Sequence, residues 1–131
     1  MRMVYSEALM DHFQQPRHVG RLDGDAVSVG TGMAGAVETG GVLRIQIRVG
    51  PDGLITDTRF KAYGPPALIA SGSWLADTVR GLELSAAETI SHQAIAEALA
   101  LPPERLHCAL LAEDAIRAAI NEYKEKQRAY A

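Results

Sequence analysis

The stretch HCALLAEDAIRAAI, residues 107–120, sets an imidazole beside a thiol at the head of a run of helix formers, and Cys108 is the only cysteine in the chain. A thiol in the first turn of a helix feels the positive end of the peptide dipole, which favours the thiolate, and a thiolate is both a nucleophile and a soft metal ligand. The prolines of LPPER, residues 101–105, suit a helix that starts just after them. Neighbouring residues on a helix point about 100° apart, so His107 and Cys108 are not a nucleophile–base pair by position alone. A lone cysteine is also a common small core residue, and a histidine here serves equally as a cap or a core group. His12, His18 and His92 fall in separate segments without ligand spacing, and Trp74 reads as packing. No acid/base pair, phosphate loop or nucleophile triad accompanies Cys108, so the expectation is not an enzyme.

Composition narrows the field further. A chain of 131 residues with 47% apolar and 22% charged residues suits a single folded domain spanning 1–131. The formal net charge of −3 and the scatter of the basic residues argue against a nucleic-acid partner. One cysteine permits neither an internal disulfide nor a CxxC motif, and no stretch approaches the ~18 apolar residues of a membrane span. The expected setting is cytoplasmic, without a membrane partner.

Ser6 is positioned to cap a short helix carrying Leu9, Met10 and Phe13 on one face, which must stop near Pro16. Residues 14–25 are polar and rich in turn formers, so 1–25 reads as an arm ahead of the first strand, ordered or mobile. Val27, Val29, Thr31 and Met33 then alternate with small residues. Leu43, Ile45, Ile47 and Val49 alternate with Arg44, Gln46 and Arg48, and after a GPDG turn Thr56, Thr58, Phe60 and Ala62 alternate again. This pattern predicts a three-stranded antiparallel meander with one face for helices. The period becomes helical after Pro65-Pro66, with Leu68, Leu75 and Val79 in one stripe and Gly81 as a C′ glycine. Ser85-Ala-Ala-Glu88 has capping-box form, and Ser91 is placed to cap a further short helix. In the last helix Ala109, Ala112, Ile116, Ala119, Ile120 and Tyr123 share the inner side, and Glu113, Arg117, Glu122 and Lys126 read as its solvated side. The fold class is α+β, with helices packed on one face of the sheet.

Several local patterns now occur together: YSEALMDHFQQPRHVG, VGTGMAG, TRFKAYG, IASGSW and LPPERLHCALLAEDAIRAAINEYK. Over nearly its whole length the chain resembles the iron–sulfur cluster assembly scaffolds of the IscU type, also found as the N-terminal domain of NifU. The resemblance implies the α+β layout just described, a role in building [2Fe–2S] clusters, a bound [2Fe–2S] cluster or zinc, and a cysteine desulfurase as partner. It also implies three cysteines on three loops and an aspartate, close together at one end of the fold.

The sequence departs from the family at those positions. Where the family reads GAPACGD, this chain reads GAVETGG, with Thr39 in place of the first cysteine and Gly41 in place of the aspartate. Where the family reads YGCGS, this chain reads YGPPA, with Pro65 in place of the second cysteine. His107 and Cys108 match the third cysteine and its preceding histidine. Threonine does not ionise near neutral pH and proline offers no side-chain donor, so His107, Cys108 and Glu38, a possible oxygen ligand, fall short of four cluster ligands. The expectation is no cluster or a weakly held one, and a role as adaptor, regulator or sulfur acceptor through Cys108. The alternatives are one Zn²⁺ or Fe²⁺ held by His107, Cys108 and Glu38 with an open position, or a structural partner of an intact scaffold in a homo- or hetero-oligomer. The proline pair either stiffens its loop or simply starts the next helix. The family's docking segment for a heat-shock chaperone ATPase reads LPPVK. Here it is Leu101, Pro102, Pro103, Glu104 and Arg105, and the acidic replacement weakens that docking.

Overall fold

The computed structural model describes residues 4–131, so the first three residues of the expected 1–25 arm lie outside it. Three strands, β1 (Val29–Ala36), β2 (Gly41–Val49) and β3 (Ile55–Tyr63), form one antiparallel sheet in the order β1-β2-β3. The alternation along β2 fixes its faces. Leu43, Ile45 and Ile47 are fully buried beneath helices, and Arg44 and Arg48 lie on the opposite face. This is the meander expected from the period-2 pattern, except that the first strand starts at Val29 rather than Val27. Lys126 donates to the carbonyls of Gly24, Ala26 and Val29, and Gln127 to that of Val27, so side chains hold the backbone approaching β1 until the Ser28 carbonyl accepts from Val49 N–H of β2 at 2.9 Å.

The helices are α1 (Glu7–Gln14), α2 (Pro66–Val79), α3 (Leu84–Glu88), α4 (His92–Leu99) and α5 (Leu106–Ala129). Ser6 and Ser91 cap α1 and α4 through N–H donors of Leu9 at 3.0 Å and Ala94 at 3.2 Å. Gly81, at φ +82°, follows the C-cap residue of α2. Ser85 does not cap α3. Glu83 is the N-cap, and Ser85 lies exposed in the first turn, because backbone pairing with the 53–54 turn sets the helix start: Leu84 N–H donates to the Gly53 carbonyl at 3.3 Å. The arm is tied to the edge of β3, where Phe60 N–H donates to the His18 carbonyl at 2.9 Å and Gly20 N–H to the Phe60 carbonyl at 3.1 Å.

The long helix α5 lies across β1 and β2 and departs from expectation on its polar side. Glu113 is only 8% exposed. It accepts from the backbone N–H of His92 at 2.9 Å, and so closes the start of α4 against α5. Glu122 accepts from the free Thr31 N–H of edge strand β1 at 3.0 Å. A carboxylate at the seam between elements can satisfy orphan backbone donors, which helical periodicity alone does not reveal. Burial pushes the Glu113 pKa up, but the His92 hydrogen bonds and the Arg117 charge outweigh it and hold the carboxyl below its ordinary value. A carboxyl with a lowered folded pKa stabilises above its unfolded value and loses that contribution as pH falls through the folded one. Glu113→Ala is therefore expected to cost about 1–3 kcal/mol at neutral pH. The gap between variant and parent in denaturant unfolding should narrow on acidification below the ordinary 4.5.

Candidate functional site

Three junctions converge at one end of the sheet: the β1–β2 connection, the β3–α2 connection and the start of α5. In the first, a 3-10 turn over Val37–Thr39 ends at Gly40, whose φ of +93° reverses the chain into β2, and Thr39 Oγ1 donates to the Ala36 carbonyl at 2.9 Å. In the second, Gly64 at φ +154° passes the chain to Pro65, the N-cap of α2, with Pro66 at its first turn. The proline pair thus opens a helix, where missing N–H donors cost nothing. The third is the first turn of α5, which follows a 3-10 turn over Pro103–Arg105.

These junctions enclose a cavity of about 300 Å³. Thr39, Gly41, Pro65 and His107 all line it, and Leu68, Leu110 and Leu111 form an aliphatic wall. Four residues separated by up to 68 positions in the chain therefore meet in one place. Their side chains supply one hydroxyl and one imidazole, and no thiolate or carboxylate. The leucine wall is the part that sequence reasoning did not single out; its signal was a pair of leucines one turn apart, Leu106 and Leu110, left 44% and 43% exposed at the start of α5.

Cys108 is adjacent to this cavity but does not line it. The residue is wholly buried in the core, with Sγ 3.7 Å from His107 Nε2, whereas His107 itself is exposed. Burial pushes the Cys108 thiol up to about 11 from an ordinary 9.0, against a smaller opposing pull from Arg105. This reverses the acidity expected from the helix dipole, because loss of water from a thiolate outweighs a first-turn dipole. An acid whose folded pKa is raised stabilises fully below its unfolded value, and that contribution disappears as pH climbs from about 9 to about 11.

Glu38 is exposed on the 3-10 turn and outside the cavity lining. Among the described residues no three His, Cys, Asp or Glu side chains gather to hold a metal ion, so Glu38, His107 and Cys108 do not meet as a ligand set. In the LPPER segment Leu101 is buried in the core at 9% exposure, Pro103 and Glu104 are exposed, and Arg105 sits between them and Cys108. His12 and His92 are engaged in side-chain hydrogen bonds to Ser73 at 2.8 Å and Glu113 at 3.3 Å, His18 pairs with Asp77 at 2.9 Å, and Trp74 packs at the core edge. No helix of the described residues is long and apolar enough to cross a membrane.

Comparison with known proteins agrees with this architecture. Residues 4–130 match the NifU-like N terminal domain family. The chain is 50% identical over 125 residues to the iron-sulfur cluster assembly scaffold protein IscU of Azotobacter vinelandii, covering 95% of this chain and 98% of that protein. It is 48% identical over 127 residues to the IscU scaffold of Escherichia coli strain K12, covering 97% and 99%. Among solved structures, the N-terminal part of a NifU-like protein from Brucella abortus superimposes with a TM-score of 0.69 at 19% identity, over 92% of this chain and 94% of that one. That last likeness concerns the fold. The family match and the two IscU relatives span nearly all of both chains, and the chain belongs to the NifU-like N-terminal domain family.

Proposed function

We propose that this chain is an iron–sulfur cluster assembly protein of scaffold type that acts by binding its partners, as an adaptor, rather than by holding a complete cluster on its own ligands. The assembly role rests on kinship with IscU scaffolds over almost the full length. The adaptor role rests on one observation: the cavity where the loops converge offers Thr39, Gly41, Pro65 and His107, a set with no thiolate. A [2Fe–2S] cluster normally takes four protein ligands, chiefly thiolates, and is the cargo that this set fits poorly. Thr39, Gly41 and Pro65 then stand at the degenerate ligand positions, and the partner class is a cysteine desulfurase.

A second reading is favoured by the 3.7 Å approach of Cys108 Sγ to His107 Nε2. In it Cys108 accepts sulfur: the Cys108 thiolate attacks the outer sulfur of a desulfurase persulfide, the S–S bond of the donor breaks, the donor cysteine leaves as a thiolate, and Cys108 carries the new persulfide. Because Cys108 is buried and its thiol weakly acidic, this requires the partner to lift the first turn of α5.

Incubation with a cysteine desulfurase and free cysteine, followed by mass spectrometry, tests both readings. The adaptor reading predicts a stable complex that survives Cys108→Ser. The acceptor reading adds one sulfur to Cys108 only in the complex, while a thiol reagent alone modifies the native chain about 100-fold more slowly than the unfolded one. Absence of any complex would overturn the assignment of a desulfurase partner.

A further inference from the structure

At the end of the sheet away from the candidate site, three arginines converge on one carboxylate. Arg48 of β2 stands directly opposite Asp57 of β3 in the strand register, and Arg59 lies two residues on from Asp57, so these three side chains share the outer face. Arg80, the C-cap residue of α2, joins them round the edge of β3, since α2 lies on the other face, where Thr58 Oγ1 donates to the Ala76 carbonyl at 2.7 Å. Asp57 Oδ1 accepts from Arg59 Nη1, from Arg80 Nη2 and, at 2.8 Å, from the backbone N–H of Thr58. Arg48 Nη1 is 3.7 Å from Asp57 Oδ2.

One guanidinium neutralises one carboxylate, so three leave two positive charges in excess, in a chain whose formal net charge is −3. Among the described residues Asp57 is the only carboxylate that pairs with any of the three, and the one other acceptor is the Thr58 carbonyl, which takes Arg59 Nη1 at 2.7 Å. Burial pushes the Asp57 carboxyl up, but hydrogen bonds from Arg80 and the Thr58 N–H and the charge of Arg59 outweigh it and hold the group below its ordinary 3.8. Asp57 is thus a fixed anion at neutral pH. The arm lies against the stem of Arg59, where a Cβ on Gly20 would stand 3.4 Å from Arg59 Cδ, and the Nε of Arg80 is buried. Two of the three forks are held in place in this way, while the arginine side chains stay between 32% and 40% exposed.

We infer that Arg48, Arg59 and Arg80 form a binding site for the phosphoryl group of a phosphomonoester, with Asp57 holding the guanidinium forks side by side. A single arginine suffices to pair Asp57, and the excess of two matches the double charge of a phosphomonoester near neutral pH. Its oxygens also accept in pairs from planar guanidinium forks. A carboxylate or a phosphodiester carries one charge and matches half the excess. Three arginines at one point do not make the continuous cationic stripe that a nucleic-acid backbone requires. The cluster lies about 23 Å along β2 from Gly41, so it is separate from the loops of the candidate site and needs neither a desulfurase nor a cluster of iron and sulfur.

Titration of the full chain with methyl phosphate at about pH 7.5, followed by phosphorus NMR of the ligand, tests the site beside dimethyl phosphate, a diester of similar size with one charge. Methyl phosphate is expected to saturate, and dimethyl phosphate to bind about tenfold more weakly. Arg48→Gln and Arg80→Gln should each weaken methyl phosphate about fivefold or more, with Arg44→Gln, on the same face but outside the cluster, leaving it unchanged. Arg48 makes the longest contact to Asp57, so its variant should keep the melting temperature within about 2 °C, which separates lost binding from lost folding. Methyl phosphate should also raise the melting temperature of the parent chain and not that of Arg80→Gln. With methyl phosphate binding established, phosphatidylcholine vesicles with and without phosphatidic acid distinguish the source of the phosphoryl group. Sedimentation that needs both phosphatidic acid and Arg80 would place it on a lipid headgroup, and no sedimentation would place it on a soluble molecule. Equal binding of the diester, binding unchanged in both Arg48→Gln and Arg80→Gln, or no saturation by about 20 mM methyl phosphate would each overturn the site.

Discussion

Installing Thr39→Cys, Gly41→Asp and Pro65→Cys together is expected to convert the chain from one that holds no stoichiometric zinc to one that binds about one Zn²⁺ per protomer. The three positions line one cavity with His107, so the variant presents two thiolates, a carboxylate and an imidazole to the same space. That is a tetrahedral set of the kind zinc accepts. Position 65 is the N-cap of a 14-residue helix, where a cysteine thiolate is favoured by the dipole, and the backbone there, φ −67° and ψ 161°, is open to any residue. Position 41 is the tight one: a Cβ there would come 3.0 Å from Leu68 Cδ2, so Leu68 must yield by a few tenths of an ångström. Because His107 lines the cavity and Cys108 does not, zinc should persist in the added Cys108→Ser background and be lost, by about 100-fold in affinity, on His107→Ala. Chelator competition measures both. Retention without His107 and loss without Cys108 would show that the first turn of α5 rearranges on metal binding.

Gly32→Ala is expected to lower stability by about 3 kcal/mol or more, a fall of about 10 °C in melting temperature. Close approach, rather than backbone freedom, requires glycine at this position. A Cβ at Gly32 would fall on the Ala115 carbonyl oxygen and the Ala119 nitrogen, so the obstacle is the backbone of α5, which no rotamer change can move aside. Gly30 meets the same helix one turn further on, at the Ala119 carbonyl. The two glycines of β1, with Ala115 and Ala119, let α5 lie directly on the sheet and so set where its first turn, with His107 and Cys108, meets the loops. Thermal unfolding of Gly32→Ala beside Gly53→Ala, a turn glycine at φ +84° whose added Cβ would meet nothing within 4 Å, separates the two effects. The turn variant should lose only the cost of its left-handed backbone, about 1 kcal/mol.

The fold was legible because its signals were of the strong kind. Leu43 to Val49 with their alternating polar partners gave a strand and its buried face, Ser6 and Ser91 gave helix starts, and Gly81 gave a helix end, each through one local interaction. What stayed hidden depended on contacts between elements. Ser85 looked like a cap but lost to backbone pairing at the 53–54 turn, and Glu113 looked solvated because periodicity does not show that α4 begins against it. The candidate site divides in the same way. The family resemblance singled out Thr39, Gly41, Pro65 and His107, which the fold brings to one cavity, whereas its leucine wall and the burial of Cys108 are properties of packing. Position in the first turn of a helix suggested an acidic thiol, and only the surrounding core shows that desolvation prevails.

The central claim is that the unaltered chain does not complete a cluster on its own residues. Its most direct test is iron and acid-labile sulfide per protomer after anaerobic reconstitution with a cysteine desulfurase, with Cys108→Ser alongside. Both chains, once separated from the desulfurase, are expected to carry iron and sulfide far below one per protomer and to lack the absorbance of a cluster. Equal, near-stoichiometric iron and sulfide that vanish in Cys108→Ser would contradict it, and would mean that Cys108 leaves the core to bind a cluster completed by a second protomer or another donor.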